Sequence, residues 1–449
     1  MIKVITYGTY DLFHYGHLRL LERAKALGDY LIVGVTADDY DKARGKINVQ
    51  QSLIERMDAV RATGLADEII IEEYEGQKID DILRFDVDVF AIGSDWEGKF
   101  DYLNEYCKVV YLERTLGVSS TELRSEKHAI RLGLVGDVDF IGKFEKECHY
   151  VNGLEIAGLC TSNMEFSCKG KGFNELQIIT DNYEKLLGVS DAVYILSHPS
   201  KHYGQIKIAL ENGKHVLCES PIAVEAKQWD ELAILAKNKG LVMMDAVRTA
   251  YAMAYYRMLL LVKSGVIGNV VSIDSSCTSL RDIEVTGDEL NNVWNSICTW
   301  GPCALLPVFQ LLGTEYKQKQ ITSHISNEHY MYDTFTKITF VYPNAVASIK
   351  VGKGVKAEGE LVISGTTGYI YVPAPWWKTE YFEIRREDPT QNKRYFYQLD
   401  GEGIRYELVS FMKAIQGGGK TNIYINEDIS LAITKIMEDF YNFKDLIKI

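Results

Sequence analysis

The sequence contains no C-x-x-C pair, no block of lysine and arginine, and no apolar run approaching the ~18 residues of a membrane span. Its eight cysteines, Cys107, Cys148, Cys160, Cys168, Cys218, Cys277, Cys298 and Cys303, are scattered. That scatter suits neither a zinc site nor a disulfide framework, so they read as reduced thiols in cores. The formal charge of -13 is spread along the chain without a basic arm. Nothing therefore favours a nucleic acid or an anionic membrane as partner, although local phosphate pockets remain open. No N-terminal segment joins basic residues, an apolar stretch and a small-residue cleavage site, and a cytoplasmic location is expected.

With 449 residues, 47% of them hydrophobic and 25% charged, the chain has enough material for two or three domains. Short β-rich runs at Lys3–Tyr7, Tyr30–Thr36, Glu68–Ile71, Val87–Gly93 and Val109–Leu112 alternate with amphipathic stretches at His17–Leu27, Ile54–Thr63 and Lys78–Arg84. This alternation predicts an α/β fold, a parallel sheet with helices on both faces. After the charged stretch Glu122–His128 it begins again, through Ile130–Val135, Ile156–Cys160, Ala192–Leu196, Val216–Glu219 and Leu241–Asp245, and predicts a second Rossmann-like unit. From about Val270, strand runs with turn signals take over at Lys337–Val341, Ala345–Val351, Glu360–Ser364 and Tyr369–Val372, with helical patterns at Arg405–Ile415 and Ile429–Phe443. These predict an α+β unit, a mainly antiparallel sheet covered by helices. The expected domains are residues 1–127, 128–248 and 249–449.

The stretch Thr6-Tyr7-Gly8-Thr9-Tyr10-Asp11-Leu12-Phe13-His14-Tyr15-Gly16-His17 passes from the first strand into the first helix. Phosphate sites belong at such a junction. Gly8 lets the backbone approach a ligand, Gly16 opens the turn, and the free amides at the helix start near His17 face the anion. His14 and His17, three apart, offer imidazole donors to the same phosphates. Alone, such a pair fits surface residues or metal ligands as well. At the far end of the domain a strand runs into Arg114-Thr115-Leu116-Gly117-Val118-Ser119-Ser120-Thr121, a guanidinium, a flexible glycine and hydroxyls suited to cradling a triphosphate.

Together these motifs closely resemble the glycerol-3-phosphate cytidylyltransferases of the nucleotidyltransferase superfamily, over roughly residues 1–125. The family's His-x-Gly-His signature appears as His14-Tyr15-Gly16-His17, its Arg-Thr-x-Gly-x-Ser-Thr-Thr signature as Arg114 to Thr121 with Ser120 in place of threonine, and its Asp-Trp-Glu-Gly-Lys-Phe segment as Asp95 to Phe100. The resemblance implies transfer of CMP from CTP to a polyol phosphate, foremost glycerol 3-phosphate, giving CDP-glycerol and pyrophosphate for a surface polymer such as teichoic acid or capsule. Such a reaction needs no protein nucleophile, so the protein positions and neutralises. On this resemblance His14 and His17 stabilise charge at the α-phosphate, and Lys46 and Arg114 neutralise the triphosphate. Ser119, Ser120 and Thr121 hold its outer phosphates, while Tyr7, Gly8, Thr9, Tyr10, Asp11, Gly16, Asp95 and Thr115 line the nucleotide. Asp11, Lys46, Arg56 and Tyr74 fall to the acceptor, Arg56 to its phosphate; a solvated charged face accounts for Lys46 and Arg56 as well. Mg²⁺ should accompany the triphosphate without a metal-ligand set of the protein's own, and a homo-oligomer is expected.

Residues from about Ile130 onward resemble the Gfo/Idh/MocA family of NAD(P)-dependent oxidoreductases, most clearly over Asp191–His202 and Ala209–Pro221. Where that family carries Glu-Lys-Pro, this sequence reads Glu219-Ser220-Pro221, and a hydroxyl cannot replace the ammonium that tunes proton transfer beside a hydride. The dinucleotide loop Gly133–Gly142 puts Val138 at the second fingerprint glycine and Asp137 and Asp139 toward the pyrophosphate. The family's further catalytic positions fall on Thr299 and Cys303. These departures argue against NAD(P) as a cofactor and for a retained scaffold. The alternative is a bifunctional enzyme whose second part reduces a keto or aldehyde phosphate with NAD(P)H. A nucleotide-sensing scaffold without turnover is a third reading, opposed by the intact histidine motif. His198 and His202 fall at a strand's C-terminal end, where ligands bind, and helix capping accounts for them nearly as well.

Overall fold

The structure is a computed structural model and describes residues 1–37, 49, 51–74, 76–113, 129–136, 144, 147–148, 150–151, 153–162, 176, 178–280, 293–397, 399, 403–417 and 424–449. The chain separates into two units, Met1–Ala129 and Ile130–Ile449.

In the first unit, β1 (Lys3–Gly8), β2 (Tyr30–Thr36), β3 (Glu68–Glu72), β4 (Val89–Gly93) and β5 (Lys108–Leu112) form a parallel sheet in the order β3-β2-β1-β4-β5. The helices α1 (Tyr15–Lys25), α2 (Leu53–Ala62) and α3 (Gln77–Phe85) run between them. Strand residues alternate between two cores: Val4, Leu31 and Val33 meet Leu21 and Ala24 of α1, whereas Ile5, Ile32 and Phe90 meet Ile82 of α3. Ser52 starts α2 through a reciprocal pair with Glu55, its Oγ accepting from Glu55 N and its N–H donating to Glu55 Oε2. The strand order reverses between β1 and β4, so their C-terminal ends frame the crevice where open α/β sheets bind ligands.

The second unit repeats the architecture. β6 (Ile130–Val135), β7 (Leu154–Cys160), β8 (Ile178–Thr180), β9 (Ala192–Ile195), β10 (His215–Glu219) and β11 (Met243–Ala246) form a parallel sheet ordered β11-β10-β9-β6-β7-β8. It is accompanied by α4 (Tyr183–Val189), α5 (Pro199–Glu211) and α6 (Ala226–Lys239). After α7 (Arg248–Tyr251) and α8 (Met253–Lys263) comes a nine-stranded sheet, ordered β19-β18-β17-β16-β12-β15-β14-β13-β20. Its strands are β12 (Val270–Thr278), β13 (Gln318–Asn327), β14 (Tyr332–Val341), β15 (Val346–Gly352), β16 (Leu361–Gly365), β17 (Tyr369–Val372), β18 (Tyr381–Arg385), β19 (Lys393–Phe396) and β20 (Leu446–Lys448). The sheet is mostly antiparallel but mixed, since β12 pairs β15 and β13 pairs β20 in parallel. The helices α9 (Ser296–Leu312), α10 (Ile404–Gln416) and α11 (Glu427–Tyr441) complete the unit. Among the described residues no helix is long and apolar enough to cross a membrane.

Charged groups fasten α10 to the second Rossmann-like layer. Arg405 and Glu147 are both buried and joined by two bonds, Nε to Oε2 at 2.9 Å and Nη2 to Oε1 at 3.1 Å. Two residues on, Glu407 Oε1 accepts from the Tyr194 hydroxyl of β9 at 2.7 Å and lies 3.6 Å from Arg248 Nε. Burial foremost, with Glu219 adding repulsion, outweighs Arg248 and the Tyr194 bond and pushes the Glu407 carboxyl up to about 8 from 4.5. The folded state therefore holds a proton that the unfolded chain releases above pH 4.5. This contribution to stability is fully present below that pH and is lost as pH rises through about 8. In Glu407→Gln, thermal unfolding followed across that interval is expected to lose this decline, which amounts to roughly a few kcal/mol.

Candidate active site

The loop leaving β1 is held in an unusual path. Tyr10 and Leu12 take φ values of 55° and 47°, in the left-handed region that non-glycine residues rarely occupy. His14 is extended and caps α1, its Nδ1 accepting from the Gly16 N–H at 3.0 Å. With Nδ1 acting as acceptor, the ring proton resides on Nε2, which serves as a donor. His17 follows in the first turn, and the two imidazoles stack with centroids 3.9 Å apart and an interplanar angle of 25°. Tyr10 packs edge-on against His17 at 5.5 Å, and Phe13 lies equally close to it. The spacing read from sequence thus becomes a stacked pair at the β1–β4 switch point.

The aromatic residues of this stretch need correction. Tyr7 and Tyr10, expected to line the nucleotide, have buried side chains. The Tyr7 ring occupies the space above Gly34, where an added Cβ would lie 2.2 Å from it, and its hydroxyl donates to Asp81 at 2.8 Å. Burial, then the Asp81 carboxylate, raises the Tyr7 phenol far above its ordinary range. The Tyr10 ring fills the space over Gly8, 3.0 Å from where a Cβ would stand, so Gly8 is small at least in part for its own neighbour. Asp11 is also buried; its Oδ1 accepts from the Gln51 N–H at 3.0 Å, while Gln51 Oε1 accepts from the Leu12 N–H at 2.7 Å.

Arg56, expected at the acceptor phosphate, is 0% exposed. Its Nη1 donates to the carbonyls of Thr9 at 2.7 Å and Thr36 at 2.9 Å, and Nε donates to Gln51 O at 3.2 Å. A guanidinium's fixed fork suits this bracing of three chain segments. The structure therefore places Arg56 behind the loop as its brace. Tyr74, assigned to the acceptor, is half exposed with its hydroxyl donating to Asp80 at 2.7 Å. Asp95 sits in the turn Ser94–Trp96 at the exit of β4, beside β1. The ammonium of Lys99 lies 5.0 Å from the Trp96 ring centroid. Lys46, Arg114, Thr115, Ser119, Ser120 and Thr121 lie outside the described residues. Sequence reading missed the buried Glu72, Lys78, Gln77 and Asp81. On α3 the polar letters of Gln77, Lys78 and Asp81 look like a solvated face, and Glu72 closes β3 like an exposed strand end.

In the second unit Gly136 leaves β6 with φ 142°, and a Cβ there would lie 2.9 Å from the Leu196 carbonyl carbon. That tight passage fits the close turn of a dinucleotide site; Asp137, Val138, Asp139 and Gly142 lie outside the described residues. His198 caps α5 by accepting from the Ser200 N–H at 3.3 Å, and burial foremost lowers its imidazole to about 4. Buried His202 spans the carbonyls of Ser197 at 2.7 Å and Pro221 at 2.8 Å. Ser220 is buried beside Asp245, whose carboxyl burial pushes up to about 6, and Glu219 pairs with Arg248 at 2.7 Å. Thr299 donates to Asn295 O inside the first turn of α9, and Cys303 Sγ lies 3.3 Å from Thr249 Oγ1. For Arg56→Ala, which strands buried carbonyls at Thr9 and Thr36, a loss of roughly 2–5 kcal/mol in denaturation of the full chain is expected, with Arg56→Lys intermediate.

The comparisons with known proteins divide at the same place as the fold. A cytidylyltransferase-like family profile matches residues 5–130, and an oxidoreductase-family profile, the NAD-binding Rossmann fold, matches residues 130–246. The glycerol-3-phosphate cytidylyltransferase of Bacillus spizizenii is 52% identical over 126 residues, 28% of this chain and 97% of that protein. That of Staphylococcus aureus is 47% identical over 126 residues, covering 28% of this chain and 95% of its own length. The 3-ketoreductase KijD10 of Actinomadura kijaniata, solved with TDP-benzene and NADP, has a TM-score of 0.59 at 18% identity and covers 72% of this chain and 99% of its own. At that identity the likeness speaks for the fold. Through its first unit the chain belongs to the cytidylyltransferase-like family, alongside the glycerol-3-phosphate cytidylyltransferases, and residues 130–246 carry the Rossmann fold of the Gfo/Idh/MocA oxidoreductase family.

Proposed function

We propose that the first unit transfers CMP from CTP to a polyol phosphate, foremost glycerol 3-phosphate, yielding CDP-glycerol and pyrophosphate for a surface polymer such as teichoic acid or capsule. The observation that carries this reading is the stacked His14–His17 pair at the mouth of β1 and β4, in a unit half identical to glycerol-3-phosphate cytidylyltransferases. An acceptor phosphate oxygen attacks the α-phosphorus, its bond to the β-phosphate breaks, and pyrophosphate leaves. His14, with Nδ1 engaged by the helix start, turns Nε2–H to the α-phosphate, and His17 supplies the second imidazole. Lys46 and Arg114 neutralise the triphosphate, Thr115, Ser119, Ser120 and Thr121 hold it, and Asp95 meets the ribose or base. Gly16 and the main chain of Gly8 and Thr9 let the nucleotide approach. Asp11, whose loop is clamped by Gln51, and Tyr74 are assigned to the acceptor. Mg²⁺ bound with the triphosphate would add charge neutralisation there, with no ligand set assigned to the protein. The protein acts in the cytoplasm as a homo-oligomer.

The second unit is read as a scaffold descended from an oxidoreductase, because Ser220 stands where the family's lysine acts. A second reading keeps it active with NAD(P)H on a keto or aldehyde phosphate, making the polyol phosphate that the first unit consumes. Its support is the family match over residues 130–246 and the tight Gly136 passage.

Pyrophosphate release from CTP is expected with glycerol 3-phosphate above glycerol 2-phosphate, erythritol phosphate and ribitol phosphate, and His17→Ala should lose about 10²–10³ in kcat. Wild-type turnover in that variant would contradict the mechanism. For the second unit, NADPH fluorescence titration and a carbonyl reduction assay decide: absence of both binding and turnover removes the bifunctional reading.

A further inference from the structure

Beneath the loop after β1 lies a layer of buried charge that the reaction as described does not use. Glu72, the last residue of β3, is 0% exposed. Its Oε2 accepts from Thr36 Oγ1 at 2.8 Å, and its Oε1 pairs with the buried Lys78 ammonium. Lys78 Nζ in turn lies 4.7 Å from the Tyr7 ring centroid and 5.5 Å from that of Phe100. Thr36 is gripped twice, at its hydroxyl by Glu72 and at its carbonyl by Arg56, and the same Arg56 nitrogen holds the Thr9 carbonyl. A continuous path therefore runs from Lys78 through Glu72, Thr36 and Arg56 to Thr9, across the ends of three strands.

Stability alone does not account for this layer. Removing two charges from water costs several kcal/mol per ion, and an apolar pair of equal volume is often as stable. A buried ion pair differs from such a pair in fixing direction: each oxygen has one geometry that satisfies it, and a satisfied network admits one arrangement. The loop it underlies carries two left-handed non-glycine residues and the stacked histidines, so a fixed arrangement there bears directly on the α-phosphorus.

We infer that Glu72 and Lys78 are positioning residues for nucleotidyl transfer, setting the Thr9–Asp11 loop through Thr36 and Arg56 and the end of β1 through the Tyr7 ring. The inference rests on the proposed cytidylyl transfer. Neither residue touches the reacting atoms. Because in-line attack tolerates only small displacements whereas nucleotide binding is shared among many contacts, their loss falls on kcat more than on KM.

The test measures kcat and KM for pyrophosphate release from CTP and glycerol 3-phosphate in the full-length chain, with CTP binding by calorimetry and thermal unfolding alongside. Glu72→Leu is expected to lose about 10²-fold in kcat with KM for CTP within about threefold. Glu72→Gln, which keeps an acceptor for Thr36, should recover most of the loss. The double variant Glu72→Leu/Lys78→Met should be no worse than the worse single variant, because the pair acts as a unit. Folded Glu72→Leu with wild-type kcat, or with its whole loss in KM, overturns the inference. Should Glu72→Leu fail to fold, Lys78→Met carries the test: about a tenfold fall in kcat is expected, and wild-type kcat overturns it. An inactive wild-type chain sinks the assigned reaction and this role together, whereas an active wild type with unimpaired variants sinks this role alone.

Discussion

The candidate site depends on one buried guanidinium. The loop after β1 places Tyr10 and Leu12 in backbone conformations that cost about 1–3 kcal/mol each, and such a path persists only where its surroundings impose it. Arg56 supplies much of that imposition by donating to the main chain of the loop, of β2 and of the segment entering α2. The Asp11–Gln51 clamp adds a second constraint a few residues on. The stacked imidazoles are the visible result, and their geometry is set from behind.

The sheet explains why separate described motifs come to one edge. His14 and His17 follow β1 and Asp95 follows β4; these strands are adjacent in the sheet although scattered in sequence. A parallel sheet sends every strand's C-terminal end to one edge, and the reversal between β1 and β4 opens that edge. The α/β class, the motif positions and the repeat of the architecture after Ile130 could therefore be read from periodicity and from short motifs. Other features could not. β8 and β20 span three residues each, too few for alternation to register, and α9 hides in an apolar run with Pro302 and Pro307 inside it.

Side-chain direction was the least legible property. Arg56 reads as an acceptor-phosphate or solvated charge, and Lys78 opens an amphipathic stretch, because nothing in a helical pattern distinguishes a cation facing water or ligand from one facing a buried carbonyl or carboxylate. Tyr7 and Tyr10 read as ligand contacts because they lie within the motif, yet glycines opposite them, Gly34 and Gly8, make room for their rings. In the second unit His198 is a helix cap, one of the two alternatives the sequence offers, whereas His202 lies inside the helix and bridges two carbonyls, which neither alternative anticipates.

The bond between Tyr194 and Glu407 joins residues 213 positions apart in the sequence. Until synthesis reaches α10, the second Rossmann-like layer lacks the Arg405 and Glu407 partners for Glu147 and Tyr194. Contacts of such long range pay their loop-closure entropy before they return any stabilisation, which slows folding. The second unit is thus completed late, from its C-terminal end. The first unit, whose sheet closes within residues 3–112, has all its strands by then and is free to fold earlier on the ribosome.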